Sequence, residues 1–127
     1  MKKNKFKLEY PLNNASPQIL WNSISTAYGL SEWFADSVTE ENGQYHFRWK
    51  NHEQQAALIH TKPNAYIRLQ WEEDKGTDAF FELKIVASEL SHDIILQITD
   101  FAEPTETEDM KMLWNQQVDK LKRVTGM

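Results

Sequence analysis

Few residues in this chain stand where they could do chemistry. Its four histidines are His46, His52, His60 and His92. No two are three or four residues apart, the spacing that sets two metal ligands on one helix face. His46 falls on the polar side of an alternating segment, His52 and His92 fall in turns, and His60 lies near a strand end. All four read as solvated, and no metal site is expected. The absence of cysteine excludes disulfides, thiolate metal sites and a cysteine nucleophile. No G-x-S-x-G elbow, phosphate-binding glycine loop or H-E-x-x-H helix is present. Carboxylates are plentiful, with 19 Asp and Glu against 14 Lys and Arg. Glu72-Glu73-Asp74 and the run from Glu103 to Asp109 have the look of a solvated turn and a helix start. Asp36 follows Trp33-Phe34 and would lie near the mouth of a cavity lined by those aromatics, although capping a turn or meeting solvent is its plainer role. Arg48 and Arg68 alternate outward. Gln117 lies on an apolar helical stripe, which makes it the favoured polar ligand contact. No catalytic residue and no cofactor is assigned.

The elements that must position these residues are legible from their periods. Lys5 to Tyr10 alternates loosely and predicts a strand. Ser16-Pro17 opens a helix, because serine caps and proline is tolerated at the first helical position. Leu20, Ile24 and Ala27 form its stripe, and Gly29 is expected to end it. Leu30 to Ala35 predicts a second short helix with Ser31 as its cap. From Ser37 the period changes to two. Asn42-Gly43 is a strong hairpin turn, after which Tyr45, Phe47 and Trp49 alternate with His46, Arg48 and Lys50. Gln55 to Thr61, Ala65 to Glu72, Phe81 to Ile85 and Ile94 to Thr99 continue the pattern between short turns, which implies an antiparallel sheet. One face of that sheet is apolar and needs a cover. The last segment supplies it. Thr105 with Glu108 reads as a capping box, and Met110, Leu113, Trp114, Gln117, Val118, Leu121 and Val124 fall at helical spacing. A helix from about 105 to 125 would be roughly 30 Å long.

Length and charge bound the rest. The 127 residues fit one domain, 1–127. A net charge of −5 argues against nucleic acid as a partner, which calls for a basic surface. Lys2, Lys3, Lys5 and Lys7 crowd the start, but no apolar run of signal-peptide length follows them. No stretch reaches the length of a membrane span. A cytoplasmic location is the default expectation.

The order of strand, two short helices, about six strands and a long helix resembles the START-like (SRPBCC, helix-grip) superfamily. The closest branch looks like the proteins related to the activator of the heat-shock-protein ATPase. The residues that carry the resemblance are Leu20-Trp21-Asn22-Ser23-Ile24-Ser25-Thr26 with Leu30-Ser31-Glu32-Trp33-Phe34, then Gly43 with Tyr45-His46-Phe47-Arg48-Trp49, then Ile67-Arg68-Leu69-Gln70-Trp71-Glu72, then Leu113-Trp114, Leu121 and Lys122. The resemblance implies an α+β helix-grip fold, in which a curved antiparallel sheet of six or seven strands holds the long C-terminal helix across its concave face. It also implies a cavity between sheet and helix, which in this superfamily often holds an apolar molecule. The chain lacks the glycine-rich loop of the plant allergen and hormone-receptor branch, and is too short for the extra domain of the full ATPase activator. The expected cavity wall is Trp33, Phe34, Phe47, Trp49, Leu69, Trp71, Phe81, Leu83, Leu96, Met110, Leu113, Trp114 and Gln117, unless these large side chains fill the space themselves.

Three functions compete on this reading. The preferred one is non-catalytic binding of an apolar or amphipathic, lipid-like small molecule in that cavity. The second is a protein-interaction or co-chaperone-like domain, with a homodimer or a chaperone as partner and Tyr66 and Phe80 as spare aromatics on the outer side of the sheet. The third is a cyclase- or hydrolase-type enzyme. It needs an inward acid–base pair, for which Asp36 and Gln117 are the weak candidates.

Overall fold

The computed structural model describes residues 2–91 and 93–127; His92, expected in a turn, lies outside the described residues. Strand β1 (Asn4–Leu12) is followed by helices α1 (Pro17–Ser25) and α2 (Ala27–Ser31). Strands β2 (Ser37–Glu41), β3 (Gln44–Trp49), β4 (His52–Lys62) and β5 (Tyr66–Trp71) come next, then a single 3-10 turn, Glu72–Asp74. Strands β6 (Phe81–Ala87) and β7 (Ile94–Ala102) lead to helix α3 (Thr107–Thr125). The strands form one antiparallel sheet in the order β1-β7-β6-β5-β4-β3-β2. β1 and β2 are consecutive in sequence yet occupy opposite edges. The α1–α2 segment must therefore cross the sheet, and α1 lies against β5 and β6 on the way. This is the expected helix-grip architecture.

Local chemistry explains the strand ends. Asn42 and Gly43 both take positive φ, 52° and 82°, the requirement of a two-residue turn whose twist matches the flanking strands. Glu41 and Gln44 pair directly across it. Pro11 continues β1 beyond the expected end at Tyr10, and it does so on an edge strand, where proline is tolerated. A register shift between Leu58 and His60 bulges β4 and bends the sheet.

The two short helices join differently from expectation. Thr26, in extended conformation, ends α1 and caps α2. Its hydroxyl donates to the Asn22 carbonyl at 2.7 Å and accepts from the Gly29 N–H at 2.9 Å. Gly29 thus does not terminate the first helix; it lies buried inside the second. A Cβ there would sit 2.1 Å from the Asn22 carbonyl oxygen, so glycine is required for close approach, not for handedness. Ser31 is the last residue of α2 and not its cap. The "WF" pair therefore follows the helix and turns inward: Trp33 is 2% and Phe34 4% exposed.

Helix α3 also starts later than expected. Glu106 is its cap residue and makes no side-chain capping bond, so the Thr105–Glu108 box does not form. Thr107 instead donates back to the Glu103 carbonyl at 3.1 Å. Glu108 and Asp109 in the first turn and Lys122 and Arg123 in the last suit the helix dipole. Trp114, Val118 and Leu121 are buried against the sheet, while Leu113 and Val124, at the flanks of the stripe, stay nearly half exposed. Tyr10 donates to Asn115 at 2.5 Å, which ties the helix to β1. No helix among the described residues is long and apolar enough to cross a membrane.

Candidate functional site

Phe34 is the hub of the interior. Its ring lies 5.1 Å from Phe47, 5.5 Å from Trp114, 5.8 Å from both Trp49 and Phe81, and 6.4 Å from Trp71. Edge-on and offset aromatic contacts of this kind add to the stabilisation from burial. Two donors clamp its carbonyl oxygen: the Trp49 indole at 3.0 Å and the Gln117 amide at 2.9 Å. The segment after α2 is thereby held between β3 and α3. Trp33 donates to the Ser23 carbonyl at 2.8 Å and Tyr45 to the Ser25 carbonyl at 3.0 Å, which fixes α1 over the sheet.

This half of the interior is solid. Trp33, Phe47, Leu69, Phe81, Leu83 and Leu96 were expected to line a cavity; they are buried in the core and do not line the cleft beside it. Large side chains converge there from the sheet, from α3 and from the segment after α2.

Beside the filled half an open cleft of about 720 Å³ separates the first turns of α3 from the ends of β3, β5 and β7. The structure brings the other expected residues together here: Phe34, Trp49, Trp71, Met110, Leu113, Trp114 and Gln117 all line it. Gln117 does so with its amide nitrogen already committed to Phe34. Asp36 is exposed at the rim, as are Lys50 and His52. The His52 ring stacks on Trp49 at 4.9 Å, so it is part of the wall rather than a free turn residue. Among the described residues no cluster of potential metal ligands occurs.

Sequence reasoning missed the most distinctive group in the cleft. Asp100 is 4% exposed. One carboxylate oxygen accepts from the Trp114 indole at 2.8 Å, and the other from the Phe101 backbone N–H at 2.7 Å. Burial pushes its carboxyl up to about 6; the two donors and nearby Lys3 pull against that shift, and Asp74 adds to it. Lys3 reaches both oxygens of buried Asp74, at 2.9 and 3.2 Å. The floor of the cleft thus carries an ion pair and, next to it, a carboxyl held by neutral donors. The signal for Asp100 was available: it shares the inward parity of Leu96 and Ile98 on β7. Extending that alternation by one step places it inside. Nothing in the sequence pairs Lys3 with Asp74.

The outer face offers less open apolar surface than expected. Arg68 forms an ion pair with buried Glu82 at 2.7 Å and lies over the Phe80 ring at 4.3 Å. Phe80 packs edge-on against Phe101 at 5.0 Å. Tyr66 shares a 2.6 Å hydrogen bond with His60.

A family model for the START-like superfamily domain matches residues 1–127. A solution NMR structure of a protein from Bacteroides fragilis is similar at 43% identity and a TM-score of 0.68, over 100% of this chain and 94% of that one. The Aha1 dimer from Colwellia psychrerythraea is similar at 15% identity and a TM-score of 0.77, over 94% and 93% of the two chains. DynU16, a protein of the dynemicin biosynthetic locus, is similar at 12% identity and a TM-score of 0.78, over 97% of this chain and 47% of that one. At these low identities the last two are likenesses of fold. No curated protein matches.

Proposed function

Because the chain belongs to the START-like superfamily, whose members often bind hydrophobic ligands, we propose that it binds a small amphipathic molecule in the cleft beside α3. The observation that carries this reading is the division of the interior. One half is packed solid around Phe34, and the other is an open space of about 720 Å³, within the range of small-molecule sites. Its wall has the composition such sites need. Phe34, Trp49, Trp71, Met110, Leu113 and Trp114 supply apolar surface, and Asp100 and Gln117 supply a few placed polar groups. Met110 is adaptable and Leu113 partly exposed, so the helix side of the wall can fit a ligand without disturbing the core. The reading is binding rather than catalysis: both hydrogen bonds to Asp100 come from neutral donors, and Lys3 is engaged with Asp74.

Native mass spectrometry of the intact chain tests the reading, before and after exposure to a mixture of dodecanol, dodecanoate and dodecylamine. The expected result is a mass increment of one apolar molecule that solvent extraction removes. A bare mass under both conditions would overturn it.

A further inference from the structure

The charge around the cleft is lopsided. Asp36, Glu73, Asp100 and Glu106 line it, whereas its lysines are Lys50 and Lys3, and Lys3 is engaged with Asp74. Asp100 is the most buried of these acids, and both of its hydrogen bonds come from neutral donors. Among the described residues no cation forms an ion pair with it. Each of its oxygens keeps acceptor capacity after accepting one N–H. Aromatic rings beside a carboxylate suit an ammonium group, because the ring faces and the anion attract the charge while apolar surface covers the carbon atoms. Building on the small-molecule reading, we propose that the ligand is a cationic amphipath, an apolar body carrying a protonated amine whose N–H groups donate to Asp100. A fatty acid would bring a second carboxylate against Asp100 and the acidic rim. A neutral alcohol would cover the same wall but leave the buried carboxylate without its counter-charge. An amine supplies both the charge and the donors, and such charge-assisted bonds are stronger than neutral ones.

Isothermal titration calorimetry of the full chain with dodecylamine, dodecanol and dodecanoate, each below its micellar concentration near neutral pH, tests this. Dodecylamine should bind at least about tenfold more tightly than dodecanol, with dodecanoate weakest. In Asp100→Asn that advantage of the amine over the alcohol should shrink to within about threefold. In the wild type, the carboxyl carbon of Asp100, followed by NMR, should shift on adding amine and not on adding alcohol; this readout does not depend on the variant folding. Equal or tighter binding of dodecanol or dodecanoate by the wild type overturns the amine assignment and leaves the cleft reading intact. An amine preference that survives undiminished in the variant, or an unmoved Asp100 signal, removes Asp100 as the anchor. Failure of all three ligands to bind defeats the cleft reading itself.

Discussion

Replacing Asp100 by asparagine should change how stability depends on pH, in a direction the structure dictates. In the folded protein this carboxyl titrates at about 6, against an ordinary value of 3.8. The folded state therefore holds its proton through a range in which the unfolded chain has lost it. Stability falls with rising pH wherever the native state binds more protons. The wild type thus carries no penalty from this group below the ordinary value, and acquires the full penalty as pH rises through about 6. Roughly two pH units at about 1.4 kcal/mol each amount to ~3 kcal/mol. Asparagine does not titrate, so the variant escapes that penalty. It has a separate defect that is independent of pH. The Trp114 indole and the Phe101 N–H bond opposite oxygens of the carboxylate, and asparagine turns one of those oxygens into an NH2 donor; the orphaned buried donor costs about 1–3 kcal/mol. Urea unfolding followed by tryptophan fluorescence, run on both proteins from about pH 4 to about pH 7.5, separates the two effects. The variant should be the less stable protein at the acid end. The gap should then close or reverse by ~3 kcal/mol across the range. A gap that stays constant with pH would show that Asp100 is not held protonated by burial. A gap that widens with pH would mean that the ionised carboxylate stabilises the fold, with Lys3 acting as its partner.

Two further substitutions probe features that the same structure fixes. Trp114→Phe keeps a buried ring but deletes the indole donor that pulls Asp100 down; the carboxyl should then titrate above about 6, read from its NMR shift against pH. A midpoint that stays put or moves down would contradict the hydrogen bond's role. Gly29→Ala drives a methyl to 2.1 Å from the Asn22 carbonyl oxygen, a backbone atom that cannot swing away. The α1–α2 junction must open, with an expected loss of about 1–3 kcal/mol in urea unfolding, and a neutral result would show that Thr26 alone sets the junction.

How much of this was legible depends on whether the signal was local. The sheet was legible because alternation is a local code: Tyr45, Phe47 and Trp49 declare their inward face without reference to any partner, and Asn42-Gly43 declares its turn. The long helix was legible from its stripe, but its start was not. The Thr105–Glu108 motif competes with a chain that turns after Pro104 and reaches helical geometry at Glu106, and the sequence does not rank the two. Gly29 misled for a related reason. Glycine serves both left-handed helix ends and close approaches, and only the Asn22 carbonyl in space decides between them. At the cleft, alternation identified the apolar residues but not which half of the interior they would fill. Trp49 and Phe47 share a face and differ by one step along β3, yet one lines the opening and the other is sealed behind Phe34. That distinction lies in the third dimension, in where the "WF" turn inserts its ring.

The cleft survives because polar contacts hold its walls apart. A helix that packed by apolar contact alone could slide down onto the sheet and close so large a space, since burying more apolar surface is favourable. Here α3 is pinned along its middle. The Trp114 indole is bonded to Asp100 on β7, and the Gln117 amide to the Phe34 carbonyl beside β3. Sliding would break both bonds and leave the buried Trp114 indole N–H without its acceptor, which costs more than a few contacts return. Toward the C-terminus the pins hold Val118 and Leu121 against a full core. Toward the N-terminus they hold Met110 and Leu113 away from Trp49 and Trp71, and the opening lies between them. An opening maintained in this way is pre-organised, so a ligand meets a formed wall and little of its binding energy is lost to rearrangement. The residue that pins the helix is also the residue placed to meet the ligand's charge, so occupancy of the cleft and the stability of the α3 contact should be linked through Asp100.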